Sequence, residues 1–191
     1  TQRAQGKVEQ LVHHPGNQVL EVGVRLDSRW PGHQAGQFAF VTFDPHEGPH
    51  PFTISSAWQD DGRMRFMIKP LGDYTRTLPG TLQAGDPVQV EGPYGRFDFA
   101  GEHPHQIWVA GGIGITPFIA RLQALQEQDG DKPIDLFYST AAADEGFIAR
   151  LRELAARARV KLHVLETERD GRLDAERICQ TVPDRARAGV R

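Results

Sequence analysis

Residues 1–100 alternate between short runs of apolar positions and clusters of turn formers. In QVLEVGVRLD, Val19, Glu21 and Gly23 fall on one side of an extended chain and Leu20, Val22 and Val24 on the other. GQFAFVTF, PFTISSA, RMRFMIKP and PVQVEG are further short runs bounded by Gly, Pro and Asp. Many short strands at close spacing, with turn residues between them, predict a small antiparallel barrel. One short helix is expected around residues 74–78.

From residue 101 the period changes. QIWVA is apolar throughout, as in a strand buried on both faces. Ile115, Phe118, Ile119, Leu122 and Leu125 follow at helical spacing, then the strand-like IDLFY. Phe147, Ile148, Leu151, Leu154, Ala155 and Ala158 form a second helical stripe. VKLHVL alternates, with Lys161 and His163 opposite Val160, Leu162 and Val164, and reads as a half-exposed edge strand. Asp174 is placed to cap a last helix carrying Ala175, Ile178 and Val182. Strand–helix alternation predicts a parallel, Rossmann-like sheet. The expected division is a barrel domain over 1–100 and an α/β domain over 101–191. Three parallel strands are expected in the second, with AGVR as the approach to a further strand that does not form. QIWVA is then expected to expose an unpaired edge, and the domain to be incomplete at its C-terminus.

Composition narrows the partners. The 191 residues carry a formal net charge of −3. No basic run marks a nucleic-acid footprint. Cys179 is the only cysteine, so the chain closes no internal disulfide and holds no iron–sulfur cluster by itself. It reads as an intracellular protein, with a cytoplasmic location expected. The eight histidines show no i, i+4 spacing of a zinc site, and no metal is expected.

The chemistry concentrates in four places. In VAGGIGITPF a buried strand runs into Gly111, Gly112 and Gly114 and then directly into a helix, with Pro117 in its first turn. Glycines admit a ligand close to the backbone, and helix N–H groups favour phosphate, so this turn is a candidate dinucleotide site. In HPFTISSA, Phe52 offers a flat face and Thr53 a hydroxyl, although core packing alone accounts for an apolar strand here. In IKPLGDYTRTL, Gly72 permits a turn, Thr75 opens a short helix, and Lys69 and Arg76 are candidate phosphate partners or a solvated pair. EGPYGRF by itself is a turn signal.

Taken in order with their gaps, HPFTISSA, GDYT, EGPYGRF and GGIGITPF resemble the ferredoxin–NADP reductase superfamily, closest to its ferric reductase and NADPH oxidase-like branch. The resemblance covers nearly the whole chain. It implies a six-stranded Greek-key FAD-binding β-barrel followed by an NAD(P)-binding domain. It places His50, Pro51, Phe52 and Thr53 at the flavin ring, with Phe52 against the isoalloxazine and Thr53 near N5 as the candidate catalytic residue. His50 stands where the wider family has arginine. This leaves the FAD pyrophosphate more dependent on Lys69, Gly72, Tyr74 and Thr75. Gly111, Gly112, Gly114, Thr116 and Pro117 match the nicotinamide-dinucleotide loop.

Two departures bear on function. The family's Cys-Gly-Pro element is absent, because the chain ends before it, and Cys179 is read as a small core residue instead. Many relatives follow the strand equivalent to LFYST with an arginine for the adenosine 2′-phosphate. Here STAAADE offers Ser139 and Thr140 before acids, with Arg169 or Arg172 as possible substitutes. The resemblance implies an oxidoreductase that takes hydride from NAD(P)H onto bound FAD. Electrons then pass to a one-electron acceptor, either a ferric chelate or haem in an N-terminal membrane domain that this chain lacks. Such a chain would sit at the cytoplasmic face of the membrane. The alternatives are a soluble flavin or ferredoxin-type reductase and a non-catalytic nucleotide-binding module.

Overall fold

The computed structural model describes residues 2–126, 132–182 and 188–190. Its first part is all β, with β1 (Gln2–His14), β2 (Val19–Leu26), β3 (Phe38–Thr42), β4 (His50–Thr53), β5 (Arg63–Ile68) and β6 (Pro87–Tyr94). The only helix among them is α1 (Asp73–Thr81), close to where the sequence predicts one. The strands pair antiparallel in the order β4-β3-β6-β1-β2-β5. Only β1–β2 and β3–β4 are sequential neighbours; β6 returns across the sheet to lie between β1 and β3, which is a Greek-key path. An Ile54–Phe66 bridge brings the two end strands together, and the Ser55 N–H donates to the Arg65 carbonyl at 2.8 Å. Curling buries the alternating face. Val8, Val22, Val41, Phe66 and Val90 are almost fully buried inside.

The second part alternates. It comprises β7 (His105–Gly111), a 3₁₀ turn (Gly112–Ile115), α2 (Thr116–Leu125), β8 (Ile134–Thr140), α3 (Glu145–Arg157), β9 (Val160–Glu166), the short α4 (Thr167–Asp170), α5 (Ala175–Thr181) and β10 (Ala188–Val190). These strands are parallel, in the order β10-β7-β8-β9. The predicted stripes face the sheet: Phe118, Leu122, Phe147 and Leu151 are buried against Trp108 and Leu136. Asp174 caps α5, its carboxylate accepting from Arg177 N–H at 2.9 Å. Strand β9 is the edge, as its alternation predicts. Cys179 is half-buried on α5 rather than in the core.

One expectation is corrected. Residues 188–190 of the AGVR segment do form a strand, and Ala188, Gly189 and Val190 pair with His105, Gln106 and Ile107. The outer edge of β7 is therefore covered along those residues. Backbone groups on a strand apolar on both faces favour a pairing partner, and these three extended residues supply one to the first part of β7.

The two parts share a packed seam. Val19 and Met67, on the outside of the barrel, belong to the hydrophobic core of the α/β part. Glu21 on the same face is 2% exposed. It accepts hydrogen bonds from Arg150 of α3 and, at 3.4 Å, from Arg65 of β5, with His14 at 3.3 Å. The β1–β2 turn closes the seam: Gly16 N–H donates to Asp144, the residue capping α3, at 3.0 Å.

Candidate functional site

A cleft of about 550 Å³ opens where the barrel meets the α/β part. That is large enough to hold most of an organic cofactor. One wall is β4, whose His50, Pro51, Phe52 and Thr53 all reach the cleft. Pro51 is exposed and His50, Phe52 and Thr53 are half-buried, yet all four line this space. Phe52 packs its inner edge on the barrel core, 6.5 Å centroid to centroid from Phe66, and lines the cleft with the rest.

The second wall is the segment from β5 into α1. Lys69, Gly72, Tyr74 and Thr75 line it together with Met67 and Leu71. Thr75 shapes the turn: its hydroxyl accepts from the Gly72 N–H and donates to the Gly72 carbonyl, both at 3.0 Å. The Tyr74 ring stacks on His50 at 4.6 Å, tying the two walls. Burial pushes the Tyr74 hydroxyl above its ordinary range, and the nearby Asp44 and Glu47 add to this. The His50 Nε2 is buried with no hydrogen-bond partner. A buried, unsatisfied ring nitrogen at a cleft wall is costly unless a ligand atom meets it.

The third wall comes from the α/β part. Gly114, Thr116 and Pro117 line the cleft, with Ile113 beside them. Gly111, the last residue of β7, and Gly112, the first of the 3₁₀ turn, lie immediately upstream, outside the cleft lining itself. Gly112 has φ +51°, a conformation other residues adopt with strain. A Cβ built at Gly111, Gly112 or Gly114 meets nothing within 4 Å, so space stands open over the turn. The Thr116 hydroxyl is already committed, donating to the Ile113 carbonyl at 2.7 Å, and it holds the turn rather than facing a ligand.

The structure thus brings both predicted sets of residues to one cleft. Gly111 and Gly112 stop just short of its lining, and Arg76 lies elsewhere. It lies 3.7 Å from Asp73 and lines a separate groove with His13, Pro15 and Pro79. Sequence reasoning missed Met67, Leu71, Asp73 and Ile113. Leu71 carried a signal, since a leucine between Pro70 and Gly72 in a loop has no core to enter; it is 69% exposed.

The open space over the glycines, the orphaned His50 nitrogen and the Lys69 side chain fit a flavin dinucleotide on the barrel side and a nicotinamide dinucleotide on the other. Comparison with known proteins agrees. A family model for an FAD-binding domain matches residues 5–98, and one for an oxidoreductase NAD-binding domain matches residues 108–185. The reductase component of propane 2-monooxygenase from Mycolicibacterium goodii is 28% identical over 140 residues, covering 70% of this chain and 40% of that protein. NADPH oxidase 1 of Mus musculus is 33% identical over 132 residues, covering 64% of this chain and 22% of that protein. Among solved structures, the FAD/NAD-binding domain of nitric oxide dioxygenase from Vibrio cholerae superposes with a TM-score of 0.76 at 19% identity, covering 98% of this chain and 97% of that one. The chain spans less than half the length of the curated relatives it matches first. The two family matches together span nearly the whole chain, and with an FAD-binding domain followed by an oxidoreductase NAD-binding domain the chain belongs to the ferredoxin–NADP reductase-like superfamily.

Proposed function

We propose that this chain is the electron-input module of a reductase, delivering electrons one at a time to an acceptor carried by a partner or a further domain. The observation that carries this is the shared cleft: His50–Thr53 and Lys69–Thr75 on one side, and Ile113–Pro117 on the other, line a single space. Flavin supplies the switch from two-electron to one-electron chemistry; the protein supplies orientation and electrostatics. Phe52 presents a flat surface, and Thr53 is placed to hydrogen-bond the reacting edge of the ring. Lys69 and the Gly72–Thr75 turn would hold the phosphates, and His50 Nε2 would gain the partner it lacks. The open space over the glycine turn would let a nicotinamide dinucleotide approach the backbone, and holding donor and acceptor close in this way is a large source of rate in such reactions.

Haem is the acceptor we favour. The ordered motifs resemble the ferric reductase and NADPH oxidase-like branch, and one of the similar proteins is an NADPH oxidase. A second reading, a soluble reductase serving an oxygenase, is supported by the similarity to the propane 2-monooxygenase reductase component. The test is anaerobic mixing of the FAD-loaded protein with NADH or NADPH, followed by addition of a haem protein, a ferric chelate or a ferredoxin. Bleaching of the flavin and reoxidation by haem protein faster than by the other two is expected. Flavin that neither nucleotide bleaches would remove the reductase reading; reoxidation by ferredoxin alone would replace haem with the second reading.

A further inference from the structure

A second cavity lies along the seam between the two parts, farther along α2 than the cleft. Thr116 and Pro117 of that helix line the cleft, whereas Arg121 and Ala124, at helical spacing from Pro117, line this cavity. Its volume is about 440 Å³, and it shares no lining residue with the cleft. That size suits a small organic molecule. The barrel contributes His33 and Trp58 from two connecting loops, and the segment leading into β7 contributes Asp98 and Phe99.

Arg121 is the only side chain of this lining that carries a positive charge independent of protonation state. The protein does not neutralise it. Its Nε is buried without a hydrogen-bond partner. Burial pushes its guanidinium below the ordinary value, and no acidic neighbour among the described residues offsets this. What it does have is the Phe99 ring, whose centre lies 5.6 Å from the guanidinium carbon. Phe99 is fixed from behind, its ring 5.1 Å from Trp108 and 5.7 Å from Phe118, with its carbonyl accepting from Gln106 Nε2 at 3.1 Å. A cation on an aromatic face regains part of its lost hydration, but the charge stays unmet.

The remaining walls are neutral or flat. His33 Nδ1 accepts from the Trp30 indole N–H at 3.3 Å, which leaves the ring proton on Nε2, and that N–H donates to the Ser56 carbonyl at 2.9 Å. Burial lowers the His33 pKa, so the ring stays neutral. It packs on Trp58 with centroids 5.4 Å apart. The Ala57 N–H donates to Gln123 of α2 at 3.0 Å, tying the Trp58 loop to the helix. Asp98 is exposed, and one of its oxygens accepts from the Ala100 N–H at 3.1 Å. One cation among aromatic rings, with one carboxylate on the exposed side, suits a flat monoanion. A dianion would meet Asp98, and a neutral ring would leave Arg121 unmet. The planar guanidinium fork matches the two oxygens of a carboxylate.

We propose that this cavity is a second small-molecule site, separate from the redox cleft, that takes an aryl carboxylate. The carboxylate pairs with Arg121, and the ring lies among Trp58, His33 and Phe99. Because the walls come from the barrel loops, the connecting segment and α2, an occupant braces the seam between the two parts.

The test uses the FAD-loaded protein with benzoate and 2-naphthoate as probes, and benzamide and inorganic phosphate for comparison. Calorimetry and thermal melting are the readouts. Both carboxylates are expected to bind at least tenfold more tightly than benzamide or phosphate and to raise the melting temperature. 2-Naphthoate should bind the tighter of the two, because it buries a second ring. Arg121→Leu is expected to weaken both carboxylates at least tenfold. Arg121→Lys should weaken them severalfold, since an ammonium keeps the charge and loses the fork. Flavin content and reduction by NADH should be unchanged in both variants, because neither alters a residue of the cleft. Ala124→Phe keeps the arginine and fills the cavity; it should exclude 2-naphthoate, and it decides the matter if the Arg121 variants do not fold. Failure of both carboxylates to bind would overturn the inference, as would benzamide or phosphate binding as tightly as benzoate. Undiminished binding in Arg121→Leu or Ala124→Phe, or displacement of the probe by NADH, would place it elsewhere and overturn the inference equally.

Discussion

At the scale of single residues, Thr53 and Gly114 separate the two ligands of the cleft. Thr53 is held by the strand pairing of β4 with β3, where it faces Phe38, so truncating its side chain leaves the backbone in place. One hydrogen bond is worth roughly 0.5–1.5 kcal/mol net. Thr53→Ala should therefore keep FAD bound, while stopped-flow reduction by NADH slows about tenfold. An unchanged rate would take Thr53 out of the reacting centre. Gly114 makes the complementary case. A Cβ there meets nothing in the protein, so Gly114→Val should fold normally and retain flavin. The added branches would occupy the space over the turn, and KM for NADH should rise tenfold or more. If KM is unchanged, the nucleotide does not approach this turn.

At the scale of elements, the barrel and the α/β part are held in register by the contact of β2 with α3. Burial alone would raise the Glu21 carboxyl, but Arg150, His14 and Arg65 outweigh it and hold it below the ordinary carboxylate range. A group depressed on folding contributes stability above its unfolded pKa and loses it as pH falls through its folded pKa. That window lies at acid pH, below about 4. The melting temperature should accordingly fall steeply on acidification below that point, and less steeply in Glu21→Gln. Removing one partner of a buried pair costs about 3–5 kcal/mol. Arg150→Ala should fall at the low end, because Arg65 and His14 remain with Glu21. Its characteristic effect would be slower flavin reduction with FAD still bound, since α3 and the glycine turn belong to the same packed part. A variant destabilised by this amount yet reduced at the normal rate would show that the clasp serves stability alone.

For the whole molecule, the cleft joins two parts that each have their own core. A ligand touching both stabilises the folded pair by mass action, by about 2.7 kcal/mol at 100 times its dissociation constant. For a chain of this size each kcal/mol moves the melting temperature by about 2–4 °C. FAD should thus raise it by roughly 5–11 °C. FMN, which lacks the adenosine half and one phosphate, should raise it distinctly less at equal concentration. Equal shifts would mean that the segment from Lys69 to Thr75 does not hold the dinucleotide.

Much of this was legible beforehand. The glycine turn after an apolar strand and the capped helix after Asp174 are local signals, and each became the expected element. Strand β9 declared itself as an edge by its exposed Lys161. Other features depended on distant parts of the chain. The alternation in β2 marks two faces, but only the docking of α3 determines that Glu21 is buried and ion-paired rather than solvated. Arg76 and Lys69 look alike in sequence; the first turn of α1 sends one to a separate groove and leaves the other in the cleft. Residues 188–190 are too few to form a strand alone and do so because the edge of β7 is there to pair with. Arg169 is an unassigned cation in the sequence and, paired with Asp170, an engaged one in the fold. The amino-acid order determined the periodicities, turns and caps, because these are set within a few residues. Tertiary structure decided which charges meet, because that depends on contacts across more than a hundred residues of chain, such as Glu21 with Arg150.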